Sequence, residues 1–288
     1  MPLPGQMITI GTRYYPASAD SERRQQRSRD SLAALPDVHR VNLQFSDETY
    51  RPEGFDTRPV LRQDSIALTR RGRVRKPIVS EMFAALADAA AASGDRYFIY
   101  LNADIEVSPA ALRRVAAGGR DAYAFCRIDL APESRLPQGV LLIGIDMFAV
   151  SVDWWRGVQR RFRPYIAGES LWDNVYAAVA CSHGHAEIVD DDSGIFHELH
   201  PASWADGPFA AYNGYLAALD APYFSRWARY VAGLQAGRTS GDLDRARLAR
   251  EIFAPPVLQG REHLRHAGRS VRAWARYAAI RRRMAPDR

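Results

Sequence analysis

The sequence predicts an α/β protein, a mixed sheet flanked by helices and followed by a helical C-terminal extension. Met7-Ile-Thr-Ile10 and Val38 to Phe45 read as strands around a polar helical stretch, and such a β-α-β start implies parallel pairing. Tyr97-Phe-Ile-Tyr-Leu101 is an unbroken apolar run, the pattern of a central strand covered on both faces. The 288 residues are 47% hydrophobic and 25% charged, which allows a large core and excludes wholesale disorder.

The elements follow in order. A helix is expected from about Asp20 to Leu35, with Asp20 or Ser21 as its N-cap, and Pro36-Asp37 breaks it before the second strand. Residues 46–62 read as loop. Arg70, Arg71, Arg73, Arg75 and Lys76 form a basic cluster, and Pro77 suits the first turn of an alanine-rich helix running to about Ala92. Ser93-Gly94-Asp95 stops that helix, and the Tyr97–Leu101 strand ends in Asn102-Ala103-Asp104-Ile105-Glu106. Ser108-Pro109 opens another helix. Ala122 to Ile128 and Ile143 to Val150 read as strands, Trp154 to Arg161 and Ser170 to Ala180 as helices. His183 to His200 suits one or two short strands, and Ala205 to Gln235 an interrupted helical region. Pro255-Pro256 marks a linker, so the expected domains are 1–254 and a basic amphipathic extension, 255–288.

The net charge of +6 is uneven. Residues 261–288 hold nine arginines against Glu262 and Asp287, so the tail carries +7 and the remainder −1. A near-neutral body argues against nucleic acid as a partner. Arg265, Arg269, Arg272 and Arg276 share one helical face, with Leu264, Val271, Trp274 and Ala278 on another. Such a tail suits peripheral contact with an anionic membrane; the alternative is a terminal helix packed on the domain. No apolar run is long enough to span a bilayer, and no secretory signal is visible. Cys126 and Cys181 lack ligand spacing and read as reduced thiols. The expected location is the cytoplasm, including the inner face of the membrane.

A buried strand that ends in a carboxylate places Asp104 where ligands of open α/β sheets collect. Hard cations favour such oxygen donors together with substrate phosphates. This order of elements, with Asn102-Ala103-Asp104 as an NxD variant of the DxD motif, resembles the GT-A fold of nucleotide-sugar glycosyltransferases, family 2-like, over roughly residues 7–200. The resemblance implies a Rossmann-type sheet and a hexosyltransferase-type activity. It further implies a UDP- or GDP-type sugar donor, a glycan or lipid-linked hydroxyl acceptor, and Mn²⁺ or Mg²⁺ as cofactor. On that resemblance Asp104 and a late histidine, His197 or His200, hold the metal, and Asn102 lies beside it. Thr9, Gly11 and Arg13 after the first strand, and Asp47 and Glu48 after the second, face the nucleoside. Arg75 and Lys76 approach the diphosphate. The segment Gly168-Glu169-Ser170-Leu171-Trp172-Asp173 resembles the acidic acceptor-side motif, so Glu169 or Asp173 is the general base. The two stand four apart, on one face if a helix includes both.

Two other classes compete. His183 and His185 alternate onto one face of an expected strand and are followed by Asp190, Asp191 and Asp192, which suits a metal-dependent phosphate-ester hydrolase. The aromatic supply, with Trp154, Trp155, Trp172 and Trp204 in the later half, suits a non-catalytic sugar-binding module.

Overall fold

The computed structural model describes residues 8–70, 74–201, 208–241 and 243–254. The expected extension, 255–288, lies outside them, as do Arg71, Arg73 and Trp204. In chain order the elements are β1 (Ile8–Thr12), α1 (Ala19–Ala33), β2 (Val38–Phe45), β3 (Asp56–Leu61), α2 (Ser65–Thr69), α3 (Val79–Ser93), β4 (Tyr97–Leu101) and β5 (Ile105–Val107). They continue with α4 (Pro109–Gly118), β6 (Ala122–Leu130), β7 (Pro137–Ser151), α5 (Val152–Val158), α6 (Trp172–His183), β8 (Ala186–Val189) and β9 (Ile195–Glu198). α7 (Pro208–Leu219), α8 (Ala221–Ser240) and α9 (Arg245–Phe253) complete them. Among the described residues no helix is long and apolar enough to cross a membrane.

The chain divides into two compact units. The first takes its described residues from Met1–Arg62, Ser80–Arg160 and Gly184–Ala202, the second from Gln63–Val79, Arg161–His183 and Ser203–Arg288.

The first unit is a mixed nine-stranded sheet in the order β3-β2-β1-β4-β7-β6-β9-β5, with β8 also pairing β6. β1, β2, β3 and β4 run parallel, β7 runs antiparallel to both β4 and β6, and β9 is parallel to β6. Both faces are covered, which is why β4 is apolar throughout. Tyr97, Ile99 and Leu101 point into a core with Leu32 within α1, Leu35 just after it, and Leu112 and Val115 of α4. Phe98 and Tyr100 point the other way, against Phe83 of α3, which also meets Phe148 and Trp155.

Several boundaries differ from expectation. α1 begins at Ala19 behind Ser18, not at Asp20 or Ser21. β3 forms inside the segment read as loop, because Asp-Thr-Arg-Pro-Val-Leu is an edge strand whose mostly exposed residues and proline conceal the pattern. Pro77 precedes α3 in an isolated bridge with Asp64, so the helix starts two residues later.

The second unit is helical. α6, α7, α8 and α9 pack on one another, and α2 packs on α7. Tyr176 of α6 sits edge-on to Phe162, Tyr165 and Trp172. Buried Asp220 accepts from Arg163 Nε at 2.7 Å and from the Tyr165 hydroxyl at 3.0 Å.

Candidate functional site

Strand pairing builds the main cluster in the first unit. Asp104 lies in the turn after β4, and the Ile105↔His197 register of β5 and β9 sets a histidine beside it. His197 is 5% exposed, and His200 follows two residues beyond β9. His200 Nε2 lies 3.1 Å from His197 Nε2 and 3.2 Å from Asp104 Oδ2, and the remaining side of the triangle, His197 Nε2 to Asp104 Oδ2, is 3.7 Å. Among the described residues these three form the group able to hold a metal ion.

The far nitrogens of both rings are engaged. His200 Nδ1 lies 2.9 Å from the Pro201 carbonyl, which can only accept, so Nδ1 carries a proton. His197 Nδ1 lies 3.2 Å from Asp129 Oδ1 and donates to that carboxylate. In the neutral rings both Nε2 atoms are therefore acceptors, turned toward each other and toward a carboxylate oxygen. Three acceptors this close need a cation among them. Ligands about 2.1 Å from a common ion sit about 3.0–3.4 Å apart in octahedral or tetrahedral arrangements; two of the observed separations fall in that range, and the third, 3.7 Å, lies a little above it. The donor set fits a divalent ion.

Without an ion, protons serve the same electrostatic need. Burial alone would lower the His197 pKa, but hydrogen bonds to Asp104 and Asp129 outweigh it and raise it to about 9. Burial would raise Asp104, yet its bonds to the two imidazoles hold it well below the usual carboxylate range.

Behind the triangle runs a chain of charges that sequence reading missed. Arg127 of β6 donates from Nε to Asp129 and from Nη1 to Asp146 of β7, both at 2.9 Å. Asp146 is pushed upward by burial, partly offset by Arg127. Asn102 gives its amide N–H to Asp146 Oδ1 and accepts from the Tyr100 hydroxyl at 3.0 Å. Its side chain is thus spent on orienting Asp146, not left to reach a donor molecule.

The strand-end residues separate. Thr9 is fully buried near the amino end of β1 and donates to Asp95 at 2.6 Å, so it cannot contact a nucleoside; the strand runs on to Thr12. Gly11 is a packing glycine, since a Cβ there would meet the Val41 carbonyl at 2.6 Å and Leu86 at 2.7 Å. Arg13 does stand past the carboxyl end of β1. Its guanidinium lies 5.2 Å from the Tyr15 ring centre and 5.1 Å from that of Phe45, and it pairs with Glu48. Glu48, not exposed Asp47, is the acid that Arg13 engages.

The second unit brings two further candidates together. Lys76 Nζ donates to Glu169 Oε1 at 2.6 Å and lies over the Phe209 ring at 5.9 Å. Glu169 is 7% exposed, and its Oε2 has no hydrogen-bond partner among the described residues. Lys76 is therefore the counter-ion of Glu169. The amide of Val79, first residue of α3, is taken by the Tyr165 carbonyl, so it is not free for phosphate. Arg75 is half-buried beside Lys76. Glu169 and Asp173 do not share a helix face, because α6 starts at Trp172 after Gly168 and Leu171, both at positive φ.

The competing histidine cluster does not assemble. His183 ends helix α6 and bonds the Tyr223 hydroxyl at 2.7 Å, while His185 precedes β8 and faces Arg120. Trp155 and Trp172 are buried and offer no stacking surface.

No family model matches the chain, and no curated protein matches it. One solved structure, described as a glycosyltransferase involved in the glycosylation of the major capsid of PBCV-1, aligns over 67% of this chain and 93% of its own. The identity is 13% and the TM-score 0.35.

Proposed function

We propose that the chain is a metal-dependent glycosyltransferase that moves a sugar from a nucleoside-diphosphate donor to a hydroxyl acceptor. The observation that carries this reading is the Asp104–His197–His200 triangle beyond the carboxyl end of central strand β4. A divalent ion held there supplies positive charge to the leaving diphosphate. Asp104, with two neutral imidazoles, leaves net positive charge on such a site, which suits an anionic leaving group. Arg13, fixed by Glu48 and two rings, is the candidate contact for the nucleoside.

Glu169 is the better candidate for the general base. Its Oε1 is held by Lys76, and its Oε2 is left with an open lone pair to take the acceptor proton. Lys76 then serves the base and not the diphosphate. Asp173 in the first turn of α6 is the second candidate.

A thermal-shift screen of UDP-, GDP-, CDP- and dTDP-sugars, with and without Mn²⁺, tests the reading, because a ligand that binds the native state raises its stability. A shift that needs both Mn²⁺ and one nucleotide sugar is expected. A shift with Mn²⁺ alone, unchanged by every nucleotide sugar, would overturn transfer in favour of metal-dependent hydrolysis.

A further inference from the structure

Charge is divided unequally between the two units. Gln63–Val79, Arg161–His183 and Ser203–Arg288 hold 22 lysines and arginines against ten acids, a net +12, which leaves the sheet unit at −6. Arg58, Arg114 and Arg120 of the sheet unit each meet a carboxylate. On α8 and α9 of the helical unit, Arg226, Arg229, Arg247 and Arg250 pair with no carboxylate among the described residues.

The helix pair turns its apolar sides inward. A Cβ on Gly233 of α8 would meet Leu248 Cδ1 of α9 at 2.8 Å, and the Tyr230 and Phe253 ring centres stand 5.4 Å apart. The arginines are left outside. Arg229, Arg247 and Arg250 are exposed, and half-buried Arg226 donates to the Ser182 hydroxyl at 2.9 Å. Arg226 with Arg229, and Arg247 with Arg250, are like charges three apart on a helix, a spacing that costs stability until an anion lies beside them. Burial, Arg161 and Arg226 together lower the His183 pKa, and burial with Arg229 lowers that of Arg226 against the pull of Tyr223. The sequence runs on from α9 into residues 261–288, where four arginines share one helical face and Leu264, Val271, Trp274 and Ala278 another.

We propose that the helical unit docks on a bilayer rich in anionic phospholipid, with the arginines of α8 and α9 and the 261–288 segment as its two contacts. Lipid phosphates supply the anions that α8 and α9 lack. A bilayer also receives the apolar stripe around Trp274, which a polynucleotide does not. The inference is independent of the metal triangle and of sugar transfer.

The test is cosedimentation of the full-length chain with vesicles. Binding is expected at low salt to phosphatidylcholine vesicles carrying about 30% phosphatidylglycerol, with little at about 0.5 M NaCl and little to phosphatidylcholine alone. Arg229→Gln/Arg247→Gln/Arg250→Gln, all at exposed positions, is expected to weaken binding by at least about tenfold. The full-length Arg265→Gln/Arg269→Gln/Arg272→Gln/Arg276→Gln variant is expected to do the same. Circular dichroism checks the fold of each variant, and Arg247→Gln/Arg250→Gln replaces the triple variant if that one fails to fold. Binding that ignores lipid charge, unchanged affinity in either variant, or tighter binding to single-stranded DNA than to the vesicles overturns the inference. Vesicle binding by a chain that turns over no nucleotide sugar leaves it standing and removes the transferase reading.

Discussion

Two histidine–carboxylate clusters sit at opposite ends of the strands in the sheet unit, and only one of them turns its acceptors on a common point. At the amino ends, His39 Nδ1 lies 3.1 Å from the Ser93 hydroxyl and 3.3 Å from that of Thr9, while Nε2 lies 3.2 Å from Asp56. Thr9 passes its own proton to Asp95, and Arg58 donates to Asp56. With His39 Nε2 donating to Asp56, Nδ1 accepts from the Ser93 hydroxyl, and each carboxylate of the group has its own donor, so that network needs no added cation. At the carboxyl ends, Asp104, His197 and His200 turn three acceptors on one point while their far sides are satisfied. The residue types are nearly the same. The order of donors around them separates a structural cluster from a candidate site.

Asp104→Ala tests that contrast most severely. It should leave the fold intact and weaken Mn²⁺-dependent donor binding by more than about 100-fold, since a direct ligand ought to matter at least as much as an outer-shell partner. Isothermal titration of donor in Mn²⁺ decides it, and unchanged affinity would erase the distinction between the clusters.

An unmatched acceptor also marks Glu169, in the other unit. Glu169→Gln keeps the shape and should lower turnover by about 10²–10⁴ while donor affinity holds, because a base acts on the acceptor. Full turnover in this variant would make the Lys76–Glu169 pair structural. Lys76→Met, which strands a buried carboxylate, should destabilise the protein by about 2 kcal/mol, less than for a fully buried pair because Lys76 is partly exposed. Urea melts measure it.

His39→Ala sharpens the comparison from the closed side. It should cost about 1–2 kcal/mol in stability through lost hydrogen bonds and leave metal affinity untouched. A loss of metal binding in this variant would show that the amino-end cluster is more than scaffolding.

How much of this was legible in the sequence depended on whether a signal was local. The sequence places β2 and β4 to the residue, because an alternating stretch after Pro36-Asp37 and an apolar run closed by turn residues need no tertiary information. Asp104 was legible for the same reason, as a carboxylate ending such a run. Asp129, Asp146 and Arg127 were not, since a charged residue within a strand ordinarily reads as a solvent-facing position, and the Asp129–His197 contact spans 68 residues. Thr9 and Gly11 were misplaced by two residues of strand length. Lys76 and Glu169 were each singled out, but no spacing rule pairs side chains 93 residues apart.

In pH dependence the two clusters part again. In EDTA, His197 has a folded pKa of about 9 against an unfolded value of about 6.5. A raised pKa means that its contribution is fully present below about pH 6.5 and fades as pH rises through 9. Asp56 behaves oppositely. Burial pulls its pKa upward, but Arg58 and His39 more than offset that and hold it low. Its contribution is present above about pH 4 and is lost as pH falls through the folded value. At 42% side-chain exposure that loss is screened by water and stays under about 1 kcal/mol. Thermal melts of the EDTA-treated protein from pH 3 to 9.5 should therefore show an alkaline decline that His197→Asn abolishes. They should also show an acid limb that Asp56→Asn alters only slightly, because Asp104 titrates there too. Mn²⁺ should offset the alkaline decline, since it binds the deprotonated ring whose proton is leaving. An alkaline limb that survives both His197→Asn and saturating Mn²⁺ would place its origin outside the triangle.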